Sequence, residues 1–454
     1  MSIELISPLP YSLQNHPYRD VLIQAIQAAL AAVNGEEVVR QTLEVKDGRL
    51  YVGDQSCPIP PQGKIAILAV GKAATAMARG AKESLRNLNP KGIIVTKFHS
   101  EDRPNDFPIL IGDHPIPRKR SLRAARAVER FLSNLNPEDI LLCLISGGAS
   151  ALLTYPRPPL TLRDIQRTTQ LLLQCGATIH ELNTVRKHLE RFKGGGIVQI
   201  APAATVISLI ISDVIGDAIE VIGSGLTAPD PTTFREALTI LERYELTHIL
   251  PPKVMQYLHE GSEGLHAETL KPQSALSKTV VNQIIASNRH ACVAAQQSLQ
   301  KCAVETLHLT SFLQGEASQV GRVFAAFARQ LHSTRRDTAP PLCWIAGGET
   351  TVTVRGDGIG GRNSELALGA VLDMEGVDRT LLITLATDGD DGFSAAAGAV
   401  VNGATALRAR QLRLSPADYL KRNDSFTFFS QLEDCLFLSP TQTNVNDLIF
   451  LFIG

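Results

Sequence analysis

IAILAVGKAATAMARGAKESL, residues 65–85, decides the fold class. Six apolar residues run without a polar break, stop at Gly71 and Lys72, and give way to an alanine-rich amphipathic stretch. A continuous Val/Ile/Leu run is the pattern of a strand covered on both faces, and the helical stretch behind it supplies cover. The arrangement recurs: ILLCLI (140–145) runs into SGGASALL, TVISLII (205–211) into SDVIGD, TVVNQIIA (279–286) into SNRHACVAAQQSL, and LLITLA (381–386) into TDGDDGFSAAAGAV. Buried strands alternating with helices imply parallel crossovers and hence an α/β protein. Ligands of such sheets sit beyond the carboxyl ends of the strands, where these polar loops fall.

At 454 residues the chain exceeds one ordinary core, so two or three domains are expected. The polar stretch EGSEGLHAETLKPQSALSK (260–278) has no clear period and reads as a long connection, dividing residues 1–270 from 271–454. HSTRRDTAP (332–340) reads as a surface loop before the strand CWIAGG. The formal net charge of −1 gives no global attraction to nucleic acid or an anionic membrane, so an anionic ligand must be held by local cations. Aromatics are only 5% and are not interleaved with basic residues, which argues against a nucleic-acid groove. Seven scattered cysteines without a C-x-x-C pair suit a reducing compartment and no structural zinc site. MSIELISPLPYSLQ is not a signal peptide, and AATVISLII (203–211) is strand-length, not membrane-spanning; a cytoplasmic location is expected.

Several loops carry candidate chemistry. Lys72 at a strand-to-helix turn either meets a negative group or faces solvent; the loop is not a Walker A, because residues 66 and 73 are alanine. Ser146, Gly147, Gly148 and Ser150 form either a tight βα turn or a backbone cradle for carboxylate or phosphate. NTVRKHLERFKGGG (183–196) places Arg186, Lys187, Arg191 and Lys193 on about three helical turns ending in a glycine C-cap run. Three glycines exceed what a cap needs, which suggests close backbone approach. Asp213 and Asp217 follow the strand TVISLII as helix caps, metal–phosphate ligands or a base, and Asp388, Asp390 and Asp391 follow LLITLA. His114 and His188 read as polar surface or loop residues.

RGDGIGGRNSE (355–365) matches G-x-G-x-x-G, the spacing of a dinucleotide fingerprint. The preceding ETTVTVR alternates Thr and Val, which predicts a half-exposed antiparallel strand and not the buried first strand such a fingerprint follows. The loop instead presents Arg362 at the start of a helix with Asn363 or Ser364 as N-cap, where a guanidinium could fork onto phosphate oxygens. Its glycines read as a hinge-like loop that brings backbone near phosphate.

AVGKAA, SGGASALL, NTVRKHLERFKGGG, SDVIGDAIEVIGSG with APDP, GGETTVTVRGDGIGGRNSE, ATDGDDG with AAGAVV, and TNVNDL together resemble the glycerate 2-kinase family with a C-terminal MOFRL domain. These motifs run in family order from about residue 65 to 448. The resemblance implies two α/β domains, an N-terminal Rossmann-like doubly wound parallel sheet and a C-terminal mixed-sheet domain, with the active site in a cleft between them. It implies ATP-dependent phosphorylation of D-glycerate at the 2-hydroxyl, with ATP and Mg²⁺ required and a homo-oligomer allowed. Lys72 and Arg362 match the main catalytic cations, and Asp213 matches a family acid taken as base or, with Asp217, metal ligand. Ser146, Gly147, Gly148, Ser150, Asn183, Arg186, Lys193, Glu349, Asn363 and Asp388 are the expected substrate- and nucleotide-binding residues.

The chain departs from the family pattern at three places. Ala149 replaces a family glycine, which could restrict positive φ there; SGLTAPDP replaces a more usual SGPT segment; and Ser439 and Gln442 in SPTQTNVND stand for two glycines. A hydroxypyruvate reductase using NAD(P)H, and a catalytically inactive small-acid or nucleotide sensor, are the competing readings.

Overall fold

A computed structural model of the chain describes residues 5–6, 8–99, 102–201, 205–336 and 338–454. Parts of MSIELISPLPYSLQ (1–4 and 7), of AATVISLII (203–204) and of HSTRRDTAP (337) lie outside the described residues. Two compact units are present. One is Gly35–Ile285; the other joins Ala286–Gly454 to the described residues before Gly35.

The first unit opens with a small antiparallel sheet of β1 (Leu43–Lys46), β2 (Arg49–Val52) and β3 (Gln55–Pro58). Its main sheet contains β4 (Ile65–Val70), β5 (Lys91–Thr96), β6 (Ile109–Ile111), β7 (Ile140–Ile145), β8 (Thr205–Ile211) and β9 (Val280–Ala286). Among the described residues the order is β6-β5-β4-β7-β8-β9, and β4 to β8 run parallel. The apolar runs dictate this: every residue of β4 and β7 is buried, so each needs a helix layer on both faces. The chain lays β5 and β6 on one side of β4, then returns to lay β7, β8 and β9 on the other. This is the doubly wound order, whose direction reverses between β4 and β7.

Several helices of this unit begin at Thr161, Thr178 and Thr233, each forming a capping box with an acid three residues on. Each such cap contributes about 1 kcal/mol. The stretch expected to connect two blocks, 260–278, is tied back into this unit. Leu270 N–H donates to Gly194 O at 2.9 Å, its carbonyl accepts from Asp230 N–H at 2.7 Å, and β9 then completes the sheet. The change of unit falls after that strand.

The second unit holds β10 (Glu305–Leu313), β11 (Leu342–Gly348), β12 (Thr380–Ala386), β13 (Gly398–Asn402), β14 (Cys435–Leu436) and β15 (Asp447–Ile453). Among the described residues the order is β10-β11-β15-β12-β13-β14. β10 and β11 are parallel, while β15 lies antiparallel between β11 and β12, making the sheet mixed. Antiparallel pairing puts the start of β15 beside the ends of β11 and β12: Asp447 is in register with Gly348 on one side and Ala386 on the other. The helix Arg19–Ala31 buries Leu22, Ala25, Ile26, Ala29 and Leu30 on one stripe and packs against the helix Asn288–Lys301.

The strand expected over ETTVTVR does not form. Thr351 makes a single bridge to Glu316, and the Glu316 carboxylate takes the Thr353 N–H (3.1 Å) and hydroxyl (3.0 Å), so side-chain acceptors replace a neighbouring strand.

Candidate active site

In the first unit, the loops after β4 and β7 meet at the point where the strand order reverses. Lys72 N–H donates to Gly147 O at 2.9 Å, Ser146 N–H to Val70 O at 3.0 Å, and Ala73 N–H to Ser146 Oγ at 3.0 Å. Alanine cannot cap the helix Ala74–Ser84, so the Ser146 hydroxyl from the neighbouring loop satisfies that N–H. Gly71 has φ 130°, and a Cβ there would lie 2.1 Å from Ser146 Oγ. The two turns are thus fastened to each other, with the Lys72 side chain exposed at their edge.

Asp213, two residues beyond β8, lies against the same turn: a Cβ on Gly147 would meet its Oδ2 at 2.1 Å. Asp217 sits in the following turn at φ 57°. Among the described residues no three His, Cys, Asp or Glu side chains form a group fit for a metal ion. One or two carboxylates still suit Mg²⁺ when phosphates complete its shell.

Behind this turn lies a partly buried polar network. Arg186 Nη2 donates to Ser150 Oγ at 2.7 Å, Ser150 Oγ meets Ser224 Oγ at 2.8 Å, and Ser224 Oγ donates to Asn183 Oδ1 at 2.9 Å. Lys193, expected to bind ligand, is completely buried. Its ammonium donates to Ser150 O and Glu190 Oε2, both at 2.9 Å, and burial lowers its pKa to about 8. The side chain therefore braces the Ser150 turn from behind and has no open face for a ligand.

The glycine run is also not a C-cap. The helix Ile179–Leu189 ends before it, and Gly194 and Gly195, at φ 58° and 75°, bond to Ser224 O and Gly225 O. A Cβ on Gly195 would lie 2.4 Å from Leu270 Cβ, so the expected close approach is to the protein itself. Ala149 begins the short helix Ala149–Leu152, and the positive φ falls on Gly148 (83°), so the alanine imposes no restriction.

In the second unit, Arg362 is the first residue of the helix Arg362–Ala370. Its guanidinium forks onto Asp447, Nε to Oδ2 at 2.5 Å and Nη2 to Oδ1 at 2.9 Å, and Nη1 reaches Glu349 Oε1 at 3.1 Å. The side chain is still 31% exposed. Burial pushes Asp447 up to about 6 despite this partner, whereas Arg362, although desolvated, is held above its ordinary value by Asp447 and Glu349. Asp388 follows β12 nearby in sequence, its Oδ1 accepting from Asp390 N–H at 3.2 Å.

The N-cap expectation is corrected. Gly361 occupies that position, Ser364 Oγ accepts from its N–H at 3.1 Å, and Asp391 supplies the missing anion. Asp391 accepts the backbone N–H groups of Asn363 (2.9 Å) and Ser364 (2.8 Å) and the Ser364 hydroxyl (2.6 Å). The place where a dinucleotide pyrophosphate would sit is filled by this buried carboxylate. The glycines serve packing and not a phosphate: Cβ atoms on Gly356, Gly358 and Gly361 would lie 2.4 Å from Arg422 O, 2.4 Å from Asp424 Cβ and 2.3 Å from Asp391 Oδ1. Asn423 shapes the same loop, its Oδ1 accepting from Arg355 and Gly356 N–H at 2.7 and 3.0 Å. Asn363 itself is buried, so its side chain supports the helix start.

Of the two histidines read as surface or loop residues, His114 does lie in a loop, whereas His188 is placed otherwise. His188 is buried in its helix, between Thr184 O (2.7 Å) and Glu268 Oε2 (3.1 Å). His114, three residues past β6, is half-buried at the edge of the Gly148 turn, 3.0 Å from where a Cβ on Gly148 would stand. No spacing in the sequence signals this: β6 is the edge strand beside β5, and the 112–118 segment after it brings His114 to the turn that follows β7. Gln442, standing for a family glycine, adopts φ 53°, the conformation glycine takes freely.

No helix among the described residues is long and apolar enough to cross a membrane. Residues 21–259 match a family described as a domain of unknown function, DUF4147, and residues 342–447 match the MOFRL family. The chain is 35% identical to a D-glycerate 2-kinase of Thermotoga maritima, covering 95% of this chain and 97% of that one. It is 34% identical to a putative hydroxypyruvate reductase of Agrobacterium vitis, covering 96% and 94%. The crystal structure of a glycerate kinase from Thermotoga maritima superposes with a TM-score of 0.83 at 35% identity, over 96% of this chain and 99% of that one.

Proposed function

The chain belongs to the glycerate 2-kinase family with a MOFRL domain, and on that premise we propose that it transfers the γ-phosphoryl group of ATP to the 2-hydroxyl of D-glycerate. The observation that carries this reading is the pair of interlocked turns at the strand-order reversal, where a doubly wound sheet places its ligand. Phosphoryl transfer requires positioning and charge stabilisation more than covalent chemistry, and a cation fixed to a backbone-rich turn supplies both.

We assign Lys72 to the transferred phosphoryl oxygens and the Ser146–Gly148 turn to the glycerate carboxylate or a phosphate. Arg362 is assigned as the phosphate-facing cation of its own unit; its fork on Asp447 fixes the guanidinium plane while Nη1 exchanges Glu349 for phosphate oxygen. Asp213, against Gly147, is assigned as base or Mg²⁺ ligand, with Asp217 beside it in the loop. A bound Mg²⁺ would neutralise phosphate charge. Ser150, Asn183, Arg186 and Lys193 hold the Ser146–Gly148 turn in shape, and Glu349, Asn363 and Asp391 do the same for Arg362.

The reductase reading needs a seat for a dinucleotide pyrophosphate, and the one candidate fingerprint has Asp391 in that seat. The deciding experiment is a ³¹P NMR spectrum of the product formed from ATP, Mg²⁺ and D-glycerate. A 2-phosphoglycerate resonance is expected; 3-phosphoglycerate, or no product, overturns the proposal. Lys72→Ala should lower kcat roughly 10²–10⁵-fold, the range for removing a stabiliser of transferring charge.

A further inference from the structure

Resting on the kinase reading, we propose that His114 is a substrate-contacting residue whose imidazole hydrogen-bonds the hydroxyl that accepts the phosphoryl group. The placement comes from the segment that follows β6. β6 ends at Ile111, and Asp113 anchors the segment beyond it: its carboxylate accepts from the Arg120 side chain at 2.9 Å and backbone N–H at 3.0 Å, and its own N–H donates to Ser121 Oγ at 2.9 Å. The neighbouring His114 is therefore held in place. Its ring edge lies over Gly148, with Nε2 3.2 Å and Lys72 Cγ 3.7 Å from the position a Cβ on Gly148 would occupy. The imidazole thus shares one small space with the Lys72 stem, where a β-carbon is missing.

The charges around the ring decide its form. Lys72 and Lys97 face it, Asp113 is engaged by Arg120, and Asp213 lies beyond Gly147. Burial first, and then these two lysines, lower the His114 pKa to about 4, so the ring is neutral at physiological pH. A neutral imidazole carries one lone pair and one N–H. A hydroxyl, itself donor and acceptor, can pair with whichever ring nitrogen faces it, whereas a carboxylate or phosphate oxygen pairs only with the N–H and is served better by the lysines. The ring therefore suits the hydroxyl end of a hydroxy acid, leaving its anionic groups to the lysines.

The test uses the full-length protein. His114→Ala should lower kcat/KM for D-glycerate about tenfold or more, the order of one hydrogen bond, leaving KM for ATP unchanged. His114→Gln, which keeps a donor and an acceptor, should recover part of the loss, with melting curves confirming that both variants fold. Lys97→Ala removes a positive neighbour, so the imidazole gains its proton more readily and the acid limb of the kcat/KM profile should move to higher pH; a ring that only packs would leave that limb in place. Independently, titrating wild type with D-glycerate alone should shift the His114 Cε1–H resonance, identified by its absence in His114→Gln. An unmoved resonance, equal loss for Ala and Gln, or an unchanged acid limb overturns the contact. A shifted resonance in an enzyme that makes no phosphoglycerate upholds the contact and overturns the kinase reading.

Discussion

Arg362→Ala separates two consequences of losing one guanidinium, because its partner Asp447 is buried and its stability effect depends on pH. Asp447 is raised from the ordinary 3.8 to about 6, burial outweighing the attraction of Arg362. A carboxyl raised in the folded state contributes stability that is fully present below the unfolded value, 3.8, and lost as pH rises through about 6. At pH 7 that loss is about 3 kcal/mol, roughly two units at about 1.4 kcal/mol each. Removing Arg362 pushes the carboxyl higher, but protonation limits the damage. A fully neutral Asp447 at pH 7 costs about 4 kcal/mol against an unfolded state that ionises at 3.8.

The added destabilisation is therefore about 1.4 kcal/mol at pH 7, larger by about as much again at pH 8, and near zero at pH 5. This is well below the roughly 3–5 kcal/mol of a stranded buried charge. The protein's one tryptophan, Trp344 on β11, lies in the same unit and reports its urea unfolding by fluorescence. Midpoints measured at pH 5 to 8 should diverge from wild type as pH rises, and Arg362→Ala/Asp447→Asn should abolish the divergence. A loss independent of pH, or one near 4 kcal/mol at pH 7, would refute the reasoning. Turnover, by contrast, should fall roughly 10²–10⁵-fold at every pH.

Three further perturbations have defined outcomes. Gly71→Ala places a β-carbon 2.1 Å from Ser146 Oγ at φ 130°, so it should cost about 3 kcal/mol or more and much of the activity, read from urea midpoints and a coupled ADP assay. Lys193→Met leaves the buried Glu190 carboxylate only its longer contact with Arg186 (3.7 Å) and should cost about 3 kcal/mol, while Lys193→Met/Glu190→Gln should regain most of it; equal loss in both would show that the charge is not the cause. Gln442→Gly relieves a φ of 53° and should raise thermal stability by about 0.5 kcal/mol, the left-handed penalty less the entropy of glycine; a lower melting temperature would mean that the side chain's contacts outweigh the strain.

The buried strands were legible because a strand covered on both faces has an unbroken apolar run, and IAILAV and ILLCLI are both. That their polar loops gather at one edge of the sheet was legible for the same reason: the residues after such a strand emerge at its carboxyl end. What was not legible depends on partners remote in the chain. RGDGIGG looks like a phosphate loop until Asp391 and the 422–425 segment are seen pressed against it. ETTVTVR has the alternation of a strand, but alternation does not supply a neighbour to pair with, and Glu316 takes that place. The stripe on Arg19–Ala31 announces a buried face without saying which unit will bury it. His114 gives no signal because the segment that carries it leaves an edge strand, β6, and reaches the Gly148 turn only in the folded chain.

The position of β15 bears on how the molecule is made. It is paired on both sides, with β11 and with β12, although it comes after every other strand in the chain. Until residues 447–453 leave the ribosome, β11 and β12 lack the strand that joins them, and each exposes an unpaired apolar edge. Gly35–Ile285 has no such dependence, since its sheet is complete once β9 has emerged. Synthesis therefore imposes a sequence of events: the unit with Lys72 can mature while the unit with Arg362 is still being translated, and the latter closes in a single late step.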